Sequence, residues 1–468
     1  MNTHDLIQLG IPELNGDALK LARSHMARLF ASGLDRPAVE LAFEELIAHP
    51  KNFLRDEKLR SLAQALLRPA YTPRAELAPW KSWGGENLEP ESIKQMTDAC
   101  ALPVSVAGAL MPDTHVGYGL PIGGVLATEN AVIPYAVGVD IACRMRLSIY
   151  RLPGNRVAGM QDRLARVLEE ETSFGLGAEF RKPREHAVMD ADWSVSKVTQ
   201  RCKDKAWRQL GTSGSGNHFV EFGEIELRED NDLNIPSGNY LALLSHSGSR
   251  GTGAQVCEHY SKLAMENHPE LPGALRRLAW LDLDDELGAE YWAAMNLMGL
   301  YAAANHECIH REIARALGIK VLTSVENHHN FAWKEKHEVG GLEHELIVHR
   351  KGATPAGKGV LGVIPGSMTA PGFLVRGRGN PQSLRSAAHG AGRVMSRSKA
   401  KTSFTWSGVK KELADAGVKV LSAGIDEVPG VYKDIHSVMD AQKDLVEILG
   451  TFQPRLVKMA DGKDRAED

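Results

Sequence analysis

The chain has 468 residues, 43% of them apolar, with 55 Lys and Arg against 59 Asp and Glu and a net charge of −4. That balance excludes intrinsic disorder and a collagen-like build, and it excludes a binder that attracts polyanions through bulk charge, so any nucleic-acid contact must use a local patch. The five cysteines, Cys100, Cys143, Cys202, Cys257 and Cys308, include no CxxC pair, which fits neither a disulfide framework nor a zinc ribbon and predicts a reducing compartment. The first residues lack a basic region followed by an apolar run, and no stretch of eighteen apolar residues occurs. The expectation is a cytoplasmic protein without a membrane segment.

In chain order, apolar residues recur at three- and four-residue spacing between residues 17 and 67, with Asp35 and Pro37 placed to start a second helix. Pro69, Pro73 and Pro79 then break the pattern and mark a junction near residue 75. Beyond it, helical periodicity is predicted over 156–171, 251–266, 284–316 and 432–449. Strands are predicted over 240–246, 320–327, 345–350, 358–366 and 372–377. Several of these run into glycine, serine and histidine turns, which predicts an α+β body with its working residues on loops at strand ends. A polar low-complexity tail follows Gly462.

Eighteen histidines are many for this length, and four stand in unusual contexts: Asn217-His218, Ser245-His246-Ser247-Gly248, His328-His329-Asn330 and His389-Gly390-Ala391-Gly392. Any one of them is ordinarily a core histidine with a satisfied hydrogen bond. Together with Asp140 and Cys143 in GVDIACRM they compose a mixed Asp/Cys/His ligand set; the alternative is a core thiol beside a capping aspartate.

Between Leu346 and Lys411 the chain has no Asp or Glu in 66 residues but holds twelve Lys or Arg, where average composition predicts about eight acids. An anion is expected there, against the alternative of a solvated basic face. Glycines and serines in GVIPGSM and AAHGAGR would let backbone N–H groups approach phosphate oxygens, so a nucleotide and a nucleic-acid backbone are both candidates.

The strings MPDTHVGYGLPIGGV (111–125), VGVDIAC (137–143), GTSGSGNHFVE (211–221), SHSGSRGTG (245–253), HHNFAWKE (328–335), HRKGAT (349–354), PGSM (365–368), AAHGAGRVMSRSKA (387–400) and DEVPGVYKDI (426–435) stand in one order. Together they resemble the RtcB family of RNA-splicing ligases. The resemblance implies a single α+β catalytic body of mixed sheets flanked by helices over 76–468, behind a helical N-terminal segment over 1–75.

It implies two Mn²⁺ ions on Asp140, Cys143, His218, His246 and His329, with Cys143 bridging and Asp113 beside the metals, orienting their ligands. Bare ligand chemistry names zinc as the competing ion. His389 matches the nucleophile that takes GMP from GTP. Asn217, Glu221, His329, Asn330, Pro365, Gly366, Ser367, Met368, Gly390, Ala391 and Gly392 match nucleotide contacts, Tyr432 a ring that stacks on guanine, and Lys458 a lysine that reads the base. Arg250, Lys351, Arg393 and Arg397 are expected on phosphate or RNA.

The implied reaction joins RNA 3′-phosphate or 2′,3′-cyclic phosphate ends to 5′-hydroxyl ends, in RNA repair or tRNA splicing, with an archease-type activator as a further partner. Two other readings are a guanylyltransferase that caps 3′-phosphates of RNA or DNA without sealing, and a non-catalytic binder of RNA ends. The chain departs from the family pattern in Thr369-Ala370-Pro371, where relatives continue Gly-Thr-Ala-Ser, and in Arg144, where a glycine is usual.

Overall fold

A computed structural model describes residues 1–11, 16–67, 71–85 and 88–463. Pro69 and residues 464–468 of the polar tail lie outside them. The N-terminal pattern forms the helices Thr3–Gln8, Gly16–Ala31, Arg36–Ala48 and Arg60–Leu66. Asp35 caps the third, its carboxylate accepting the Ala38 N–H at 3.1 Å. The apolar faces close on one another around Leu6, Val39, Phe43, Leu46 and Leu62, a core that shares no buried residue with the clusters beyond residue 70.

Beyond the junction, three predicted helices form as Val157–Glu171, Arg250–Asn267 and Glu286–Leu317, and the five predicted strands overlap Gly238–Ser247, Val321–His328, Leu342–Lys351, Leu361–Ile364 and Gly372–Gly377, the fourth shorter at both ends than the predicted 358–366. The helix expected over 432–449 is confined to Ile435–Asp440, and Val446–Met459 is a strand. That segment pairs with Gly372–Gly377 on one side and Phe219–Leu227 on the other. Pairing on both edges overrides its local periodicity.

Two sheets organise the body. A five-stranded sheet orders Trp80–Ser82, Ser105–His115, Ile122–Thr128, Leu342–Lys351 and Asn330–Val339. The larger sheet orders Leu361–Ile364, Gly372–Gly377, Val446–Met459, Phe219–Leu227, Gly238–Ser247, Arg144–Pro153 and Val321–His328, with Lys419–Ser422 alongside Val446–Met459. Its first and last strands meet: the Asn327 amide accepts the Val363 N–H at 2.8 Å and donates to Val363 O at 3.3 Å. The sheet is thereby nearly a closed barrel around Met145, Leu147, Leu244, Val363, Leu374 and Phe452. Only His329 separates its last strand from Asn330–Val339 of the other sheet, so this residue stands where the two sheets join. No helix among the described residues is long and apolar enough to cross a membrane.

One buried ion pair ties the five-stranded sheet together. Arg350, fully buried, donates to Glu335 Oε1 at 2.6 Å and Oε2 at 3.0 Å, to Ser386 Oγ at 2.7 Å and to Leu384 O at 3.0 Å. Burial alone would raise the Glu335 carboxyl. The His337 hydrogen bond and the Arg350 guanidinium reverse this and pull it down to about 2 from an ordinary 4.5. A depressed carboxyl stabilises the fold above its unfolded pKa and loses that contribution as pH falls toward the folded value. Glu335→Gln is expected to cost about 3 kcal/mol at neutral pH. In denaturant titrations the deficit should narrow once pH drops below about 4.5.

Candidate active site

The register of neighbouring strands gathers the site. Arg144 pairs with both Ser247 and His328, and Phe219 pairs with His246, which brings Cys143, His218, His246 and His329 to one end of the barrel. The turn before Cys143 is tight. Ala142 adopts φ 58°, a left-handed conformation costing an L-residue about 1–2 kcal/mol, and its N–H donates to Asn330 O at 2.6 Å. The Cys143 carbonyl accepts the His329 N–H at 3.0 Å. These contacts lock the Asp140–Cys143 turn to the join between the sheets.

At the centre, acceptor atoms face one another. Cys143 Sγ lies 3.3 Å from His218 Nε2 and 3.1 Å from His246 Nε2, and His246 Nε2 lies 3.1 Å from His329 Nε2. His218 Nδ1 donates to Ser213 O at 2.8 Å and His246 Nδ1 to Asn217 O at 3.2 Å, assignments made from these carbonyl partners that turn both Nε2 lone pairs inward. Burial pushes His246 down to about 3 and His329 well below the usual histidine range, so both rings are neutral. Asp140 Oδ2 lies 3.1 Å from His218 Nε2, while Oδ1 accepts from Ser249 N at 2.9 Å. A thiol proton could serve only one of the facing nitrogens, whereas a cation would serve them all. Cys143, His218 and His246 also form a group compact enough to hold a metal ion. The donor set fits such an ion.

The long helix Glu286–Leu317 clamps this cluster from behind. Asn305 accepts the Gly211 N–H at 2.6 Å and donates to Thr212 O at 2.8 Å, fixing the turn that carries His218. His306 Nε2 donates to Ser247 O at 3.0 Å, and Ser245 Oγ bridges His306 Nδ1 at 2.7 Å and His310 Nε2 at 2.8 Å. Residues 306–310 read His-Glu-Cys-Ile-His, a spacing that elsewhere holds zinc. Here both rings are committed to serines and a carbonyl, and Glu307 faces solvent, so the string is structural.

His389 follows the short strand Ser386–Ala388. Its Nδ1 lies 2.7 Å from Asp113 Oδ2, and the same oxygen accepts the backbone N–H of His389 at 3.0 Å and of Gly390 at 3.2 Å. Asp113 is fully buried. With the Nδ1 proton held there, the Nε2 lone pair is free. The His389 and His329 ring centroids are 4.8 Å apart, which sets the imidazole beside the ligand cluster. Both line a cavity of about 830 Å³ together with Asp140, Cys143, His218 and His246.

The family model for the tRNA-splicing ligase RtcB matches residues 95–194 and 182–459. The chain is also 32% identical over 409 residues to the RNA-splicing ligase RtcB of Escherichia coli strain K12, covering 81% of this chain and 96% of that protein. The chain belongs to the RtcB family. It is 33% identical over 433 residues to the tRNA-splicing ligase RtcB of Methanococcus maripaludis (77% of this chain, 89% of that one). It is 29% identical over 423 residues to the RNA-splicing ligase RtcB homolog 1 of Entamoeba dispar (76% and 78%). The helices before residue 67 fall outside the family match.

Most residues expected from the RtcB resemblance line the cavity: Asn217, Glu221, Asn330, Lys351, Pro365, Gly366, Ser367, Met368, Gly390, Ala391, Gly392 and Tyr432. Burial raises the Glu221 carboxyl well above the usual range and pushes the Lys351 ammonium down to about 7. Three expectations change. Asp113 was expected to orient metal ligands, yet its carboxylate holds His389. Arg250 was expected on phosphate, but it is buried behind the cluster, 3.1 Å from His218 Nδ1 and donating to Ser247 Oγ at 3.3 Å. Lys458 was expected to read the base. Its neighbours Val457 and Met459 line the cavity, while strand alternation turns Lys458 to the other face, where it donates to Leu168 O at 3.1 Å and Thr172 O at 3.2 Å at the end of helix Val157–Glu171.

Among the described residues, four of the twelve cations in the acid-free tract meet carboxylates from elsewhere in the chain. Arg350 meets Glu335, Arg376 meets Asp232 and Glu447, and Arg393 and Arg397 line the cavity with their charges held by Asp426 and Glu427. Glu427 also accepts from the Tyr432 hydroxyl. Sequence reasoning passed over Asp426, Glu427 and Lys433, although all three stand inside the motif that supplied Tyr432. Lys433 Nζ donates to Pro112 O at 3.1 Å and Thr114 O at 2.6 Å, bracing the strand that carries Asp113.

Gly248 permits the Asp140 carboxylate to approach: a Cβ there would sit 2.1 Å from Oδ2. Gly248→Ala is expected to displace Asp140 and weaken the binding of a divalent metal ion by about 10- to 100-fold. Calorimetric titration of the metal-free protein, with circular dichroism confirming the fold, measures it.

Proposed function

We propose that this RtcB-family protein joins RNA 3′-phosphate or 2′,3′-cyclic phosphate ends to 5′-hydroxyl ends, with GTP as co-substrate and His389 as the nucleophile. One observation carries the reading. An imidazole whose Nδ1 is fixed by a buried carboxylate at 2.7 Å stands beside a ring of metal-ligand side chains on the wall of one cavity. Residues 76–468 form the catalytic body and 1–75 a separate helical segment, in a cytoplasmic protein.

Asp113 holds the Nδ1 proton, so His389 Nε2 attacks the α-phosphorus of GTP. An N–P bond forms, and the P–O bond to pyrophosphate breaks. An oxygen of the RNA 3′-phosphate then attacks that phosphorus, the N–P bond breaks, and the imidazole lone pair returns. The 5′-hydroxyl of the second end attacks the activated RNA phosphorus, and GMP leaves behind a 3′,5′-phosphodiester. A cyclic phosphate would first be opened by water.

Asp140, Cys143, His218, His246 and His329 would hold two Mn²⁺, with zinc as the competing ion. Ions so placed supply charge neutralisation at the attacked phosphate. Asn217, Glu221, Asn330 and the turns Pro365–Met368 and Gly390–Gly392 surround the nucleotide, with Tyr432 against its base. Burial raises the Glu221 carboxyl well above the usual range, which favours the form that offers an O–H donor. Lys351, Arg393 and Arg397 edge the phosphates.

Incubation with α-labelled GTP and Mn²⁺ should label the wild-type protein covalently and leave His389→Ala unlabelled. Asp113→Asn, which preserves shape but cannot hold the same tautomer, should slow labelling by about 10³- to 10⁴-fold. An unlabelled wild type would overturn the assignment. Capped but unjoined RNA ends, when both are supplied, would favour the capping reading.

A further inference from the structure

The loop between strands Ser105–His115 and Ile122–Thr128 is tethered along its length. Val116 N–H donates to Glu89 Oε2 at 3.3 Å, and Gly117 exchanges two hydrogen bonds with the Gln95 amide, at 3.0 and 2.6 Å. Lys351 Nζ donates to Tyr118 O at 2.5 Å. Gly119, at φ 76°, lies against residue 277 so closely that a Cβ would meet the Arg277 carbonyl oxygen at 2.9 Å. Despite this, Tyr118 is 53% exposed and Val116 43% exposed. The loop is fixed, and its apolar side chains face solvent rather than a core.

Tyr118 stands at the mouth of the cavity that contains His389. Its carbonyl meets Lys351, and the next residue, Gly352, approaches His389 so nearly that a Cβ would lie 3.1 Å from the imidazole Cε1. The Arg277 guanidinium carbon sits 4.5 Å from the Tyr118 ring centroid and 5.8 Å from that of Tyr135. Arg277 is exposed and forms no ion pair among the described residues. A rigid aromatic ring with a cation stacked on it is the surface on which single-stranded bases stack, while the guanidinium donors remain available to a phosphate oxygen.

We propose that Tyr118, backed by Arg277, is a stacking platform for a nucleobase of the RNA end as its terminal phosphate enters the cavity. The inference deepens the ligase reading and rests on it for the identity of the nucleic acid. The platform selects for an unpaired base rather than for a sequence, because every base has a π-face. It therefore favours a frayed or single-stranded end.

The test uses the full chain with Mn²⁺ and no GTP. Fluorescence anisotropy is read with two short labelled RNAs, one ending in a 3′-phosphate and one beginning with a 5′-hydroxyl, each also prepared with an abasic terminal residue. Tyr118→Ala should weaken at least one of the two by about 5- to 100-fold, and Tyr118→Phe should bind like wild type. For that RNA, the abasic change should weaken wild type as much and cost Tyr118→Ala nothing further. Which RNA responds identifies the end that stacks. Equal abasic losses in wild type and Tyr118→Ala on both RNAs, or equal losses for the Ala and Phe variants, would overturn the platform. Unchanged melting of Tyr118→Ala keeps a loss of affinity from being a loss of fold. Because binding is read without GTP, a wild type that fails to take a GMP label would sink the ligase reading alone.

Discussion

Five side-chain atoms able to ligate a metal, buried in mutual contact, are the constraint on which the site depends. Asp140 Oδ2, Cys143 Sγ and the Nε2 atoms of His218, His246 and His329 meet at about 3.1–3.3 Å, a crowding of polar atoms that a cation among them would satisfy. Three of the five side chains are held by groups outside the cluster. His218 and His246 hang from backbone carbonyls, Asp140 from Ser249, and the strands beneath from the polar face of helix Glu286–Leu317. The cost of assembling the site is met by the fold in advance, which is what pre-organisation for a metal ion requires.

The two sheets divide the chemistry. The near-barrel supplies Cys143, His218 and His246 from three adjoining strands, and the five-stranded sheet supplies Asp113 and with it His389. His329 sits where the chain passes from one to the other and touches both halves, 3.1 Å from His246 and with its ring 4.8 Å from that of His389. A shift of one sheet against the other would separate His389 from the Cys143/His218/His246 cluster, and the buried Arg350 network holds the strands that follow the join in place. A structural ion pair in one sheet thus bears on geometry at the site.

The residues that gather at the cavity could be named from the sequence because their strings stand in the order of the RtcB family, His218 and His246 among glycines and serines and Cys143 in VGVDIAC. The partnership of His389 with Asp113 could not, since 276 residues separate them and nothing in either string names the other. The carboxylates that meet the basic tract were hidden for a related reason. Glu335, Asp232, Glu447, Asp426 and Glu427 reach four of its twelve cations across strands and turns that linear composition does not register. The partners of Lys458 were hidden by a parity that only the strand fixes, one residue in register separating the cavity face from the face over helix Val157–Glu171. Helical periodicity over 432–449 failed where a segment is paired along both edges, because tertiary hydrogen bonding outweighs local preference.

The strand Val446–Met459 lies between segments made much earlier, Gly372–Gly377 and Phe219–Leu227, and carries Lys419–Ser422 as well. During synthesis the growing polypeptide leaves the ribosome with a gap in the middle of its largest sheet, and the edges facing that gap are open to wrong pairing. Closure waits for residues 446–459 to emerge. Maturation should thus be a late, long-range event, and nascent chains halted before this point should depend on chaperones.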